Sequence, residues 1–135
     1  MRTRFALELA EAEAMVAAAQ THARAHGWAV TTAVVDDAGT PILISRIDEA
    51  SPASWTTAIE KACSAALTGF STKALEEMVR ERAALLTLSR VAIEGGLPIL
   101  HKGQKIGGIG VSGVRSDQDA AVAQAGYAAF AQLFP

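Results

Sequence analysis

Apolar residues recur every three or four positions at Phe5, Leu9, Ala12, Val16, Ala19 and Ala23. That period predicts an amphipathic helix capped by Thr3 and running to about His26, where Gly27 stops it. The pattern then changes. Residues 28–35 are rich in β-branched side chains and apolar on both parities, as in a strand covered on at least one face. Asp36, Asp37, Ala38 and Gly39 form a turn signal, and residues 41–47 read as the returning strand of a hairpin.

Ser51 followed by Pro52 predicts a helix start, a capping hydroxyl before proline at the first helical position. Trp55, Ile59, Ala62, Ala66 and Phe70 would form its buried face. Ser71 opens a second, shorter helix with Leu75, Met78 and Val79 turned inward. Residues 81–94 are ambiguous, continuing the helix or wandering before a short strand. Gly95 and Gly96 lead into a strand over 97–101, a polar loop over 102–105 and a return strand over 106–111. A last helix runs from Ser116 to about Leu133, its Ser-x-x-Asp opening ending on Asp119. The order is helix, hairpin, helices, hairpin, helix. It predicts one α+β domain over 1–135, a mainly antiparallel sheet with helices packed on it.

Composition narrows the function. The 135 residues are half apolar but only 5% aromatic, with a formal charge of −2 from 14 acids and 12 bases. No basic cluster suited to nucleic acid occurs, and aromatic stacking platforms are scarce. No apolar run reaches membrane-spanning length. A single cysteine, Cys63, gives no disulfide framework and fits a reducing compartment, so a cytoplasmic protein is expected.

Candidate chemistry is dispersed. Gly107, Gly108, Gly110 and Gly113 thin one strand so that a ligand or another element can approach its backbone. With Ser112 before Gly113 and the helix start at Ser116, this segment offers amides and a positive helix end to an anion. Arg46 continues the side-chain direction of Ile42 and Ile44, and Asp48 lies two residues on. An arginine there fits a ligand clamp, a structural pair with Asp48, or solvent exposure. Asp36 fits either a turn brace or a proton carrier, and Lys61 either a solvated side chain or one reaching a pocket. His101, ending a strand, is a candidate axial or proton-transfer residue. His22 and His26 lack a third ligand at metal spacing, so no metal site is expected.

Several stretches together resemble the GlcG/HbpS group of small haem-binding and related proteins, formerly DUF336. They are Ala33-Val34-Val35-Asp36-Asp37-Ala38-Gly39, then Arg46 with Asp48, Ala50 and Ser54, then Ala58 with Lys61 and Ala62. Gly95-Gly96-Leu97-Pro98-Ile99, the run from Ile106 to Gly113, and Gln118-Asp119 with Ala123 continue the match. The resemblance implies a profilin-like domain with an antiparallel sheet of about five strands, assembled as a homo-oligomer from dimer to octamer. It implies a small anionic or conjugated ligand, haem or a related tetrapyrrole; the candidate contacts for it are Arg46, Lys61, His101, Gly110, Ser112, Gly113, Ser116 and Asp119. Other members are similar to small catabolic enzymes of hydrolase, deaminase or isomerase type acting on aromatic ring-cleavage products. In that reading Asp48, Asp36 or Glu49 would move protons. A third reading is a non-catalytic accessory protein. Glu49 and Val114 stand where the family commonly has glycine, a bulkier and more acidic rim that suits a smaller ligand held by Arg46.

Overall fold

The computed structural model describes residues 1–135. Its elements are α1 (Leu9–Ala25), β1 (Thr31–Asp36), β2 (Pro41–Arg46), α2 (Ser54–Thr68), α3 (Thr72–Glu81), a 3-10 segment (Ala83–Leu88), β3 (Gly96–His101), β4 (Gln104–Ser112) and α4 (Ser116–Leu133). The sheet order is β2-β1-β4-β3, with every pair antiparallel. Four strands form it, where about five were expected. Both hairpins appear as the sequence predicts, and they join through β1 and β4, with Thr31 opposite Ser112 and Asp36 opposite Gly107.

Strand alternation divides the core into two unequal layers. Val34, Ile109 and Val111 meet Met15 and Val16 of α1 and Val122 and Phe130 of α4. Ala33 and Val35, on the opposite face, meet Ala58, Ala62, Cys63 and Ala66 of α2. The glycines of β4 set this second layer. A Cβ on Gly108 would run into the Ala62 carbonyl, and one on Gly110 into that of Ala58. The α2 backbone therefore lies almost directly on the strand, and only alanine-sized side chains fit between. Trp55 and Phe70, expected on the buried face, are about half exposed for this reason.

Local chemistry moves two helix starts. Thr3 does not cap α1. Glu8 does, with Glu11 Oε2 accepting the Glu8 amide at 2.7 Å, a reciprocal capping box with the acid in place of serine. Residues 1–8 precede the helix as a strap across the sheet end, where Gln104 Oε1 accepts the Phe5 amide at 3.2 Å and Arg4 pairs with Asp37. Ser51 and Pro52 form a turn ahead of α2, with the Ser51 carbonyl accepting the Ser54 amide at 2.9 Å. The shorter helix begins at Ser71 as expected, and Ser71 caps it, accepting the Ala74 amide at 3.2 Å. The ambiguous region 81–94 is tied down by Ser64, whose Oγ accepts the amides of Arg90 and Val91 at 3.0 and 2.9 Å.

Candidate functional site

Lys61 is not a solvated lysine. It is 2% exposed, and its Nζ donates to Asp119 Oδ2 at 2.9 Å and to the Val111 carbonyl at 3.0 Å. Asp119, 2% exposed, also accepts the Val114 amide on Oδ1 at 3.2 Å, so its carboxylate already occupies the N-terminal end of α4. The cap residue is Arg115 rather than Ser116, and Ser-x-x-Asp is not a capping box here, because Asp119 turns inward to Lys61. Burial pushes the Asp119 carboxyl above its ordinary range, against the pull of the Lys61 ammonium. Gly95, with φ +133°, closes over the pair; a Cβ there would stand 2.8 Å from Lys61 Nζ. The pair is sealed from solvent.

Arg46 and Ser112 flank Thr31 on the same face of the sheet, about 10 Å apart across two strand spacings. Thr31 Oγ1 shares a 2.7 Å hydrogen bond with Ser54 Oγ at the start of α2. Arg46 is exposed and makes no ion pair, so the Arg46–Asp48 bridge is absent. Asp48 and Glu49 are exposed as well, Glu49 beside Arg24 and Trp28 in a shallow cleft. Asp36 braces its turn, with Oδ1 accepting the amides of Ala38 and Thr40, each at 2.9 Å. Gly110 is buried under α2, while Gly113 opens the turn into α4 with φ +143°. Arg46 and Ser112 thus share the sheet end near α2. Lys61 and Asp119 lie inside the domain, and Asp36 sits at the β1–β2 turn.

His101 stands elsewhere, at the end of β3. Its ring meets Phe5 edge-on at 4.7 Å, Phe134 at 5.2 Å and Phe130 at 6.2 Å. Together with Ile106, Leu7 and the capping acids Glu8 and Glu11, these residues line a cleft of about 290 Å³. Its volume is near the lower end of small-molecule sites, about 300–1,000 Å³. Three of the four phenylalanines gather here. The sequence pattern assigns Phe5 to a helix stripe instead, and the usable signal is the concentration of scarce aromatics at the two ends of the chain. Lys102 Nζ lies 5.6 Å from the Phe5 ring centre, over its face. The strap then continues into a second, wholly polar hollow lined by Arg2, Thr3, Arg4, Gln104 and Lys105.

The small α+β domain thus carries an apolar cleft with an imidazole and two glutamates on its wall and Lys102 at its mouth. The chain belongs to the family described as Haem degrading protein HbpS-like, which matches residues 7–128. It is 41% identical to Protein GlcG of Escherichia coli (strain K12) over 114 residues, covering 83% of this chain and 85% of that protein. Its structure is similar to that of a double mutant of Streptomyces reticuli HbpS, with TM-score 0.89 and 32% identity over 95% of this chain and 89% of the other. It also resembles PduOC, solved as a haem complex, with TM-score 0.84 and 28% identity over 93% and 95% of the two chains.

Proposed function

We propose that this chain is a haem-related ligand-binding protein whose ligand enters the cleft at His101. The contact of the His101 imidazole with Phe5, Phe130 and Phe134 carries this reading. Aromatic edges and faces suit a flat conjugated body, and an imidazole is an axial donor for haem iron. The residues present fit that chemistry. The volume of about 290 Å³ accommodates one edge of a macrocycle, leaving the remainder outside the domain. Bound haem would supply an iron centre, whose potential and reactivity the axial ligand tunes. The chain itself would supply the imidazole, the apolar walls and the Lys102 cation at the mouth. Titration of the purified protein with haem should give a saturable Soret shift that His101→Ala abolishes. A shift of the same size and affinity in His101→Ala would remove His101 from the site.

Arg46 supports a second reading, an enzyme or binder of a small carboxylated metabolite. Its guanidinium is exposed and has no acid partner at the sheet end. There Arg46 would clamp the carboxylate, Ser112, Gly113 and Ser116 would line its approach, and Asp48 or Glu49 would move protons, Asp36 being at the far end of β1 and spent on its turn. Arg46→Ala should weaken a carboxylate ligand by about 1.5–3 kcal/mol, the worth of a charge-assisted hydrogen bond. Haem binding that is lost with His101→Ala and kept with Arg46→Ala would separate the two sites. Self-association into a dimer or larger homo-oligomer is part of the proposal. Leu67, Phe70, Leu86 and Leu88 are each about half or more exposed, and Leu67, Phe70 and Leu88 line one groove of about 320 Å³. Light scattering at tens of micromolar tests it, and a monomer there would refute it.

A further inference from the structure

The turn between β3 and β4 has two residues, Lys102 and Gly103, with φ of +47° and +75°. Positive φ at both central positions marks a type I′ hairpin turn, whose first position favours asparagine, aspartate or glycine. Lys102 is the only non-glycine residue in the chain with positive φ. A lysine there forgoes the local preference, and its ammonium is delivered over the Phe5 ring at the mouth of the His101 cleft. From Phe5 the strap runs on to the polar hollow with Arg2, while Lys105 turns its ammonium away to the Leu67 carbonyl at 3.0 Å. On the opposite wall, the carboxylates of Glu8 and Glu11 are taken up by the cap of α1. The cleft is therefore apolar inside, acidic toward α1 and cationic toward the turn.

We infer that Lys102 is a specificity residue that selects ligands carrying an anionic group on an apolar, flat body. This rests on the cleft at His101 being the ligand site and adds what the ligand must carry. An exposed cation paired with a carboxylate changes affinity modestly, by up to about fivefold. The conformational cost at φ +47° is relieved by asparagine, so Lys102→Asn leaves the turn at least as stable while removing the charge.

The test compares the wild type with Lys102→Asn in binding haem and haem dimethyl ester, alongside thermal melting of both proteins. Expected is a wild type that prefers the free acid, and a variant that melts no lower, binds the acid more weakly by up to about fivefold and no longer discriminates. Equal binding of acid and ester by the wild type, or unchanged haem affinity in the variant, overturns the inference while leaving the haem reading intact. If the wild type binds neither haem nor its ester, the haem reading falls. The fluorescent aromatic sulfonate ANS then decides whether the anionic preference survives. Weaker ANS binding in Lys102→Asn supports it, and equal or absent ANS binding overturns it.

Discussion

Lys61 and Asp119, 58 residues apart in sequence, meet at 2.9 Å with side chains 3% exposed, and join α2 to the start of α4. The ammonium also takes the Val111 carbonyl and the carboxylate the Val114 amide, so the β4–α4 connection is held from both sides. A buried pair gains stability only when its remaining hydrogen-bonding capacity is met, and here part of it is met by backbone.

Removing one partner should therefore be far worse than removing both. Lys61→Met is expected to cost about 3–5 kcal/mol, because Asp119 is left charged in a dry site. Lys61→Met with Asp119→Leu should recover most of that loss. Urea unfolding of the single and double variants measures the difference; a double variant no better than the single one would refute the isolated-charge explanation.

The raised Asp119 carboxyl has a pH signature. Its folded value lies above the ordinary 3.8, so the native state binds the proton more readily than the unfolded chain. Its contribution to stability is fully present below the unfolded value and is lost as pH rises through the folded one. The stability of the wild type relative to Asp119→Asn should accordingly fall as pH increases from about 3 through the carboxyl range. Urea midpoints of both proteins across that interval give the slope. A relative gain for the wild type with rising pH would mean that Lys61 outweighs desolvation.

Gly110→Ala adds a methyl group against the Ala58 carbonyl and the Ala62 backbone, neither of which is a movable side-chain end. Overpacking of this kind costs about 1–3 kcal/mol, and more where the backbone must move. Gly103→Ala meets no atom within 4 Å but strains a residue at φ +75°, so its cost should be smaller and confined to the turn. Thermal melting ranks the two.

Ser64→Ala removes the acceptor for two amides and frees the segment around Arg90 and Val91. A loss of about 1–3 kcal/mol is expected where these amides stay dry, less where water replaces the hydroxyl. Hydrogen exchange should show faster exchange at Arg90 and Val91 with little change in β4. Protection unchanged at both amides would show that Ser64 does not anchor them.

The two hairpins and the α+β class were legible because strand period, turn residues and helix period change at distinct places. Whether Lys61 met solvent or the interior was not legible, for a physical reason. It lies off the stripe of large apolar residues on α2, but the glycines of β4 put the small-residue side of that helix inward, and Lys61 goes with it. Trp55 and Phe70 were misplaced by the same inversion. At the sites, Asp36 and its turn bracing followed from local rules. The His101 cleft did not, because Phe5, His101, Phe130 and Phe134 converge only through the strap and the far end of α4.

The glycine and alanine contact between β4 and α2 also divides the molecule into a fixed half and an adaptable half. With main chain close against main chain there, little side-chain volume is available to truncate, and enlargement at Gly108 or Gly110 cannot be absorbed by repacking. The helix pair α1 and α4, resting on valine, isoleucine, methionine and phenylalanine, has side-chain volume to trade. New ligand shapes in this scaffold would therefore be reached by resculpting the α1–α4 side and its strap, with the β4–α2 side serving as the invariant base.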